Sequence, residues 1–588
     1  MTARRFGPLV HRDGVTLRLW APGARAVAAV LNSPIPMQRS DDGWFRLDLP
    51  AARPGLRYKF RIDGELDVPD PASLFQPEDI AGPSEVIDHD AFSWRATEWN
   101  GRPWQETVLI ECHVGAFTPA GTYRGMIEKL DHIAATGITA IELMPIADFP
   151  GRWNWGYDGV LWYAPDHSYG APDDLKTLID EAHRRGLMML LDVVYNHFGP
   201  EGNYLGRYAP DFSREAQTPW GSAIDYRRAP VRAFAIDNAL HWIRDYRFDG
   251  LRLDAVHALA EPGGLLLLEE LSRAVGDFAR ESRRIIHLVL ENDDNRSSLL
   301  DPSVIIPAGK YRAQWNDDYH HAWHVLLTGE SHGYYADYAR EPQRAIAKAL
   351  RAGFAYQGEA SAHRGGRKRG EPSARLSPTA FVNFLQNHDQ IGNRALGDRL
   401  EWSADRVAIE AALAITLLAP MPPMLFMGDE FGARTPFPFF CDFSGALADA
   451  VREGRRLEFA QAYESFGEDV PDPLSEATFK SAKLEWRDLD HAGGARQMLV
   501  KRLLEVRRIA IVPHLADARF RDSDLQAANR MLSASWTLGT GRSLSLRANI
   551  SDRPLPHGAP APHGKPLWGG EPPDVLPPWS VFWSMGAP

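Results

Sequence analysis

Short apolar runs alternate with helix-length segments along most of this chain of 588 residues, and this alternation limits the folds that are open to it. The runs contain few polar residues, which is typical of parallel strands whose two faces are both covered by helices. Eight runs with this pattern are Thr107–Cys112, Ile138–Leu143, Leu187–Val193, Gly250–Asp254, Ile286–Glu291, Tyr311–Trp315, Ala380–Gln386 and Met424–Met427. Eight repeats of strand and helix predict an α/β fold, a (β/α)₈ barrel with long loops. A doubly wound sheet is the competing fold, but no Gly-x-Gly-x-x-Gly motif follows any of these runs.

The segments on either side of the barrel have a different pattern. Residues 1–95 alternate polar and apolar side chains between turn dipeptides, which predicts a small immunoglobulin-like β-sandwich. We expect residues 96–106 to be a linker and residues 107–515 to form the barrel. Strand-like runs between Pro- and Gly-rich turns predict a small β-domain over residues 516–588.

Composition excludes several classes of protein. The net charge is −12, which argues against an extended nucleic-acid-binding surface. No apolar stretch is long enough to span a membrane, and residues 1–17 show no secretory signal. Two cysteines, Cys112 and Cys441, cannot form a disulfide framework. We therefore expect a cytoplasmic protein, a monomer, with neither nucleic-acid nor membrane partners.

Charged and polar residues recur where four of the eight strands end. The segments 192–197, 252–257, 291–294 and 386–390 follow strands three, four, five and seven. The carboxyl ends of all barrel strands lie on one face, so these side chains should converge there. Converging buried carboxylates repel one another and lose hydration, so structural needs alone do not explain such a pattern.

Glycoside hydrolysis fits this set of residues better than metal-assisted hydrolysis does. No His-x-His or His-Glu-x-x-His spacing is present, so we expect neither a catalytic metal nor a cofactor. Glycoside hydrolysis needs one protonated and one ionised carboxyl group. Arg252 lies on the same strand face as Asp254 and can keep it ionised. Glu291 follows an apolar run, which can raise its pKa for the role of acid.

The four segments, in this order and on these strands, resemble the signature regions of the α-amylase superfamily, glycoside hydrolase family 13. The resemblance implies that Asp254 is the nucleophile, Glu291 the general acid/base and Asp389 the third catalytic carboxylate. It also implies a retaining, double-displacement mechanism, with the Asp254 and Glu291 carboxyl groups about 5–5.5 Å apart. The residues expected to bind the sugar are Tyr157, Asp192, His197, Arg252, His257 and His388.

Further segments resemble one branch of this superfamily, whose members hydrolyse the α-1,4 bond next to the terminal α,α-trehalose of a maltooligosyl trehalose. The segments are 68–73, 82–85, 111–117, 192–204, 314–321 and 384–393. Segment 314–321, with Asp317, follows strand six and could reach the trehalose side of the cleft; a structural loop is the alternative.

A glycan-branching or other transferring enzyme on the same fold is the competing function. A non-catalytic glycan-binding protein is disfavoured, because all three carboxylates are present.

Two other features suggest parts of a cleft. Flat aromatic rings stack on sugars, and Trp153, Trp155, Trp315, Tyr319 and Trp323 cluster in what the sequence suggests are loops. We favour the cleft for Trp153 and Trp155, which lie in a Gly- and Asn-rich segment.

The basic, Gly-rich segment 362–378 is interpreted as a solvated loop, with a lid over the active site as the alternative.

Overall fold

A computed structural model describes residues 4–218, 221–301, 307–460, 470–490, 493–521, 530–556 and 564–588. Eight parallel strands in this part of the chain form a closed barrel in chain order: Leu109–Cys112, Ala140–Leu143, Met188–Val193, Gly250–Leu253, His287–Leu290, Ala313–Trp315, Phe381–Phe384 and Pro423–Phe426. Each predicted run overlaps one of these strands. The predicted (β/α)₈ barrel is confirmed.

Helices connect the strands, and glycine and proline mark several of their ends. Gly137, with φ +99°, ends the helix Leu130–Thr136, and Pro230 lies in the first turn of Ala229–Asp245. The described α-helices are Val114–Phe117, Tyr123–Ile127, Leu130–Thr136, Pro172–Arg184, Leu205–Tyr208, Ala229–Asp245, Pro262–Ser282, Asp317–Thr328, Pro342–Ala352, His388–Gly392, Leu400–Ser403, Arg406–Leu418, Gly445–Glu458, Glu476–Ser481 and Gly493–Val506, which continues as the π-helix Arg507–Ile511. None of the helices in the described ranges has the length and apolar character needed to cross a membrane.

Separate sheets flank the barrel in the chain. Two facing N-terminal sheets form the predicted sandwich, and their strands are Leu9–His11, Gly14–Trp20, Trp44–Pro50 and Gln38–Arg39 in one sheet, and Pro34–Pro36, Val27–Val30, Arg57–Ile62, Leu66–Val68 and Ser84–Glu85 in the other. The predicted C-terminal β-domain contains a five-stranded sheet of Arg519–Phe520, Met531–Thr537, Ser543–Asn549, Ser580–Met585 and Lys565–Trp568. Within the same part of the chain, the strands Leu555–Pro556 and Val575–Leu576 pair with each other in a separate two-stranded sheet.

The predicted linker, residues 96–106, packs against the amino ends of the barrel strands. The Trp99 indole N–H donates to Asp249 Oδ1 at 2.8 Å, and the Trp104 indole N–H donates to the Thr379 carbonyl at 2.8 Å. Asp249 directly precedes strand four, and Thr379 lies two residues before the start of strand seven. The segment therefore closes the bottom of the barrel, while the domain boundaries themselves stay predictions.

Strand register determines which side chains meet at the opposite, carboxyl end of the barrel. Asp192 on strand three pairs with Arg252 on strand four, and Arg252 pairs with Val289 on strand five. Residues that follow strands four and five therefore leave the barrel side by side. Glu111 and Glu142 also pair across strands one and two, and both are buried.

A long loop, residues 144–169, follows the second strand. Its two ends are joined by a short antiparallel sheet of Ala147–Asp148 and Leu161–Pro165. Gly156, near its middle, has φ +102°, and a Cβ atom there would lie 2.0 Å from the Pro145 carbonyl oxygen. Glycine is required here both by the backbone angle and by the close approach of the chain.

We predict that Gly156→Ala will lower the midpoint of urea unfolding, at a cost of about 2 kcal/mol, because the methyl group overlaps Pro145. Gly206→Ala is the matched control, since no atom lies within 4 Å of a Cβ built on Gly206. Its midpoint should stay close to that of the unchanged protein. Equal midpoints for the two variants would contradict the steric argument.

Candidate active site

The Arg252 guanidinium lies at the centre of the converging strand ends. Its Nη1 donates to Asp192 Oδ2 at 2.6 Å and to Asp254 Oδ1 at 2.7 Å, and its Nη2 lies 3.7 Å from Glu291 Oε2. Arg252 is fully buried, and its guanidinium lies over the Trp315 ring, 4.2 Å from the centroid. One cation thus contacts three of the carboxyl groups predicted from the sequence.

Asp254 accepts hydrogen bonds from two side chains. Besides Arg252, the Asn196 side-chain amide donates to Asp254 Oδ2 at 2.8 Å. The Asp254 side chain remains 15% exposed, so one part of the carboxylate faces the open end of the barrel. Hydrogen bonds to a charged carboxylate stabilise it, which suits a nucleophile.

Glu291 has the opposite electrostatic environment. Burial raises the pKa of its carboxyl group well above the ordinary value, and the negative charges of Asp254, Asp317 and Asp389 raise it further, against the effect of Arg252. The Ala255 N–H donates to Glu291 Oε2 at 2.5 Å, and Ala255 has a left-handed φ of +43° that is uncommon for a non-glycine residue. The turn after strand four therefore orients the Glu291 carboxyl group.

Asp389 lies in the first turn of the helix His388–Gly392. The Asn387 side chain caps that helix and accepts a hydrogen bond from the Asp389 N–H at 3.0 Å. Asp389 is the most exposed of the three carboxylates, with 41% of its side chain accessible, and Oδ1 lies 3.5 Å from His388 Nε2. Its carboxylate is free to meet a ligand from the open side.

His388 is held as a cation by two carboxylates. Its Nδ1 lies 2.5 Å from Glu111 Oε1, and its backbone N–H donates to Glu111 Oε2 at 3.0 Å. Burial lowers the pKa of this imidazole, but Asp389 and Glu111 outweigh burial and raise the pKa to about 9. A charged donor thus lines the predicted sugar subsite at neutral pH.

Tyr157 covers His388 from the loop after strand two. The two rings are nearly parallel at 20°, with centroids 5.0 Å apart, and the Tyr157 hydroxyl donates to Asp192 Oδ2 at 2.6 Å. His197 Nε2 lies 2.9 Å from the Tyr157 carbonyl oxygen. Tyr157, Asp192, His197 and His388 are therefore brought together, as the sequence analysis expects of one subsite.

His257 and Asp317 lie further along the rim. The Asp293 N–H donates to His257 Nδ1 at 3.4 Å, so His257 contacts the segment after strand five. Asp317 begins the helix Asp317–Thr328 and is buried; burial, together with Asp293 and Asp389, raises its pKa to about 7. The ionisation of Asp317 thus changes near neutral pH.

The aromatic expectations need correction. Trp315 is fully buried under Arg252 and supports that side chain, so it offers no free face to a sugar. Tyr319 and Trp323 are not in a loop but in the helix Asp317–Thr328, where they are fully buried. The Trp155 and His388 rings are nearly perpendicular, with centroids 5.3 Å apart, whereas the Trp153 ring stacks on Phe479. The role of Trp153 in binding stays a prediction.

The interpretation of segment 362–378 as a solvated loop is wrong for two of its arginines. Glu359–Ala360 and Lys368–Arg369 form a hairpin. Arg364 Nη1 donates to Asp294 Oδ1 at 2.7 Å, and the buried Arg369 donates to Asp318 Oδ1 at 2.7 Å. The hairpin is thus attached to the segment after strand five and to the helix after strand six. Asn196, Glu111 and these arginines were not predicted as site residues, although Asn196 and Glu111 lie in the segments 192–197 and 111–117 that were singled out in the sequence. For the arginines, the signal was the basic composition of the hairpin.

Family models match three parts of the chain. Residues 5–75 match carbohydrate-binding module 48 (isoamylase N-terminal domain), residues 88–220 match the alpha amylase catalytic domain, and residues 518–583 match a domain of unknown function, DUF3459. The order of the matches follows the order of the sandwich, the barrel and the C-terminal sheet.

Similar proteins are known in sequence and in structure. Malto-oligosyltrehalose trehalohydrolase of Deinococcus radiodurans is 43% identical over 86% of this chain and 83% of its own length, and that of Saccharolobus solfataricus is 42% identical over 84% and 86%. The crystal structure of a putative alpha amylase from Salmonella typhimurium has 42% identity and a TM-score of 0.93 over the full length of both chains. The chain therefore belongs to the malto-oligosyltrehalose trehalohydrolase family, a family with the alpha-amylase fold.

Proposed function

We propose that this protein is a glycosidase that hydrolyses the α-1,4-glucosidic bond next to the terminal α,α-trehalose of a maltooligosyl trehalose and releases trehalose. The observation that supports this best is the pair of unequal carboxyl groups beside Arg252. Asp254 is stabilised as an anion by Arg252 and Asn196, whereas burial raises the pKa of Glu291. A retaining glycosidase needs one carboxyl group of each kind.

In the first step, an oxygen of Asp254 attacks the anomeric carbon of the glucose on the non-trehalose side of the bond. Glu291 transfers its proton to the glycosidic oxygen as the C–O bond breaks, and trehalose leaves as a neutral alcohol. The products of this step are a covalent glucosyl ester on Asp254 and an ionised Glu291. Arg252 lies against both carboxyl groups and limits the change in local charge as the proton moves.

In the second step, water replaces the trehalose. The ionised Glu291 removes a proton from the water as its oxygen attacks the anomeric carbon, and the ester bond to Asp254 breaks. The maltooligosaccharide leaves with its original anomeric configuration, and both carboxyl groups return to their starting states.

The remaining predicted residues suit the binding of the reacting ring. Tyr157 offers an aromatic face, while Asp192 and the charged His388 offer an acceptor and a donor for sugar hydroxyl groups. Asp389, exposed beside them, can accept hydrogen bonds from two adjacent hydroxyl groups. The trehalose specificity is supported by the names of the similar proteins. The monomeric state and the cytoplasmic location remain predictions from the sequence.

We predict that incubation with maltooligosyl trehalose will yield trehalose and a maltooligosaccharide in equal amounts, measured by chromatography. An Asp254→Asn preparation purified in the same way is the control for contaminating activity. Release of maltooligosaccharides from starch as the main reaction, or formation of α-1,6 branches, would contradict the proposed specificity while leaving the glycosidase class intact.

We predict that Glu291→Gln will lower kcat by at least about 10³-fold, because glutamine keeps the shape of the side chain but cannot donate the proton. Substrate affinity, measured by calorimetry, should change little. Glu128→Gln, at an exposed position, is the control and should keep full turnover. Near-normal turnover of Glu291→Gln would remove Glu291 from the role of acid.

We predict that Asp317→Asn will move the alkaline limb of the kcat/KM profile to lower pH. Activity requires protonated Glu291, so it falls as pH rises through the Glu291 pKa. The negative charge of Asp317 raises that pKa, and its removal should therefore lower it. Asp277→Asn, at an exposed helix position, is the control and should leave the limb unchanged. A shift to higher pH would contradict the assignment.

A further inference from the structure

Two aspartates and a histidine meet where the loop 144–169 leaves the barrel and returns to it. Asp148 lies in the outgoing strand Ala147–Asp148, and Asp166 directly follows the returning strand Leu161–Pro165. His167 is the next residue and begins a turn of 3₁₀ helix that Asp166 caps. The antiparallel pairing of the two strands brings Asp148 to Asp166 and His167, although most of the loop separates Asp148 from the other two in sequence.

Within the described residues, His167 is the only basic side chain that lies within ion-pair distance of these two carboxylates. Asp148 and Asp166 are fully buried, and no lysine or arginine of the described residues forms an ion pair with either of them. Both carboxylate oxygens of Asp148 lack a hydrogen-bond partner among the described residues, and so does His167 Nδ1. Burial of two carboxylates without a cation has a large cost in free energy, and a bound cation would remove that cost.

His167 Nδ1 lies at distances from the two carboxylates that one ion can bridge. His167 Nδ1 is 3.7 Å from Asp148 Oδ1 and 3.9 Å from Asp166 Oδ1, and one ligand atom from each of the three residues lies within 4.8 Å of the others. Two ligands that are each about 2.1 Å from a metal ion lie at most ~4.2 Å apart. The histidine–carboxylate distances therefore satisfy this limit.

Neighbouring groups orient the cluster. The Ser168 N–H donates to Asp166 Oδ1 at 2.8 Å, and the Phe149 N–H donates to Asp166 Oδ2 at 3.2 Å. Such hydrogen bonds fix the orientation of a ligating carboxylate. The His167 side chain is 24% exposed, so the cluster lies close to the protein surface, while His167 Nδ1 and both Asp148 oxygens are buried.

A second cluster with the same residue types, His89, His241 and Asp245, is different in this respect. Asp245 accepts hydrogen bonds from Arg244 at 2.7 Å and lies 2.8 Å from His241 Nδ1. Arginine already balances that carboxylate, so the second cluster has no need of an added cation.

We propose that Asp148, Asp166 and His167 bind one divalent transition-metal ion, of the Mn²⁺ or Zn²⁺ class, as a structural site. An imidazole nitrogen combined with carboxylate oxygens favours these ions over Ca²⁺ and Mg²⁺, which prefer oxygen ligands alone. The ion would join the two ends of the loop that presents Trp155 and Tyr157 to the active site. Its function is therefore to hold the loop and not to take part in the chemistry.

The test uses the full-length protein after treatment with a chelator and dialysis. Titration with MnCl₂ and with ZnCl₂, followed by calorimetry, should show uptake of one ion per chain for at least one of the two metals. The Tm should rise as the concentration of that free metal increases. Absence of stoichiometric uptake of both metals would overturn the proposal and leave a proton shared by the two carboxyl groups as the explanation.

Single substitutions test whether these three residues bind the ion. Asp148→Asn keeps the size of the side chain but removes its charge, and it should weaken binding at least 100-fold. Asp173→Asn, the same substitution at an exposed position, is the control and should bind as the unchanged protein does. If Asp148→Asn does not fold, as judged by circular dichroism, His167→Ala provides the same test. Undiminished binding by a folded variant at either position would overturn the proposal.

Discussion

The buried guanidinium of Arg252 is the interaction on which the rest of the site depends. It is held from below by the Trp315 ring and lies between Asp192 and Asp254, which belong to neighbouring strands. Without this cation, the buried Asp192 carboxylate and the largely buried Asp254 carboxylate would face each other without a countercharge, which is strongly unfavourable. Arg252 thus allows the barrel to place negative charges together at its carboxyl end. The flanking sheets and loops build around that arrangement.

The same arrangement keeps the carboxyl groups chemically different. Asp254 accepts a hydrogen bond from Arg252 Nη1 at 2.7 Å. Glu291 Oε2 lies farther from the guanidinium, at 3.7 Å from Nη2, and three negatively charged groups surround it. A second ion pair, between Glu111 and His388, places a positive charge beside Asp389. Burial raises the pKa of Glu142 deeper in the barrel, next to Glu111 and Asp192. The raised pKa favours the neutral form of Glu142, which adds no negative charge to the interior.

Prediction from the sequence succeeded for the barrel strands, which follow from one repeated pattern of apolar runs. The apolar runs identified all eight strands, and the topology of a barrel then places the residues after Val193, Leu253, Leu290 and Phe384 on one face. Prediction from the sequence was less successful for aromatic residues. An aromatic residue in the core and one in a cleft can have the same kinds of neighbours along the sequence. Trp315, Tyr319 and Trp323 illustrate this, since all three are fully buried.

The sequence by itself therefore determined the barrel, its flanking β-domains and the identity of the carboxylates at the strand ends, because each depends on local order along the chain. Only the tertiary structure decided which groups pair with them. Glu111 reaches His388 across 277 positions, and Arg369 reaches Asp318 across 51. It also brought Asp148 to Asp166 and His167. Such contacts depend on how distant segments pack, and the pKa of each group follows from that packing.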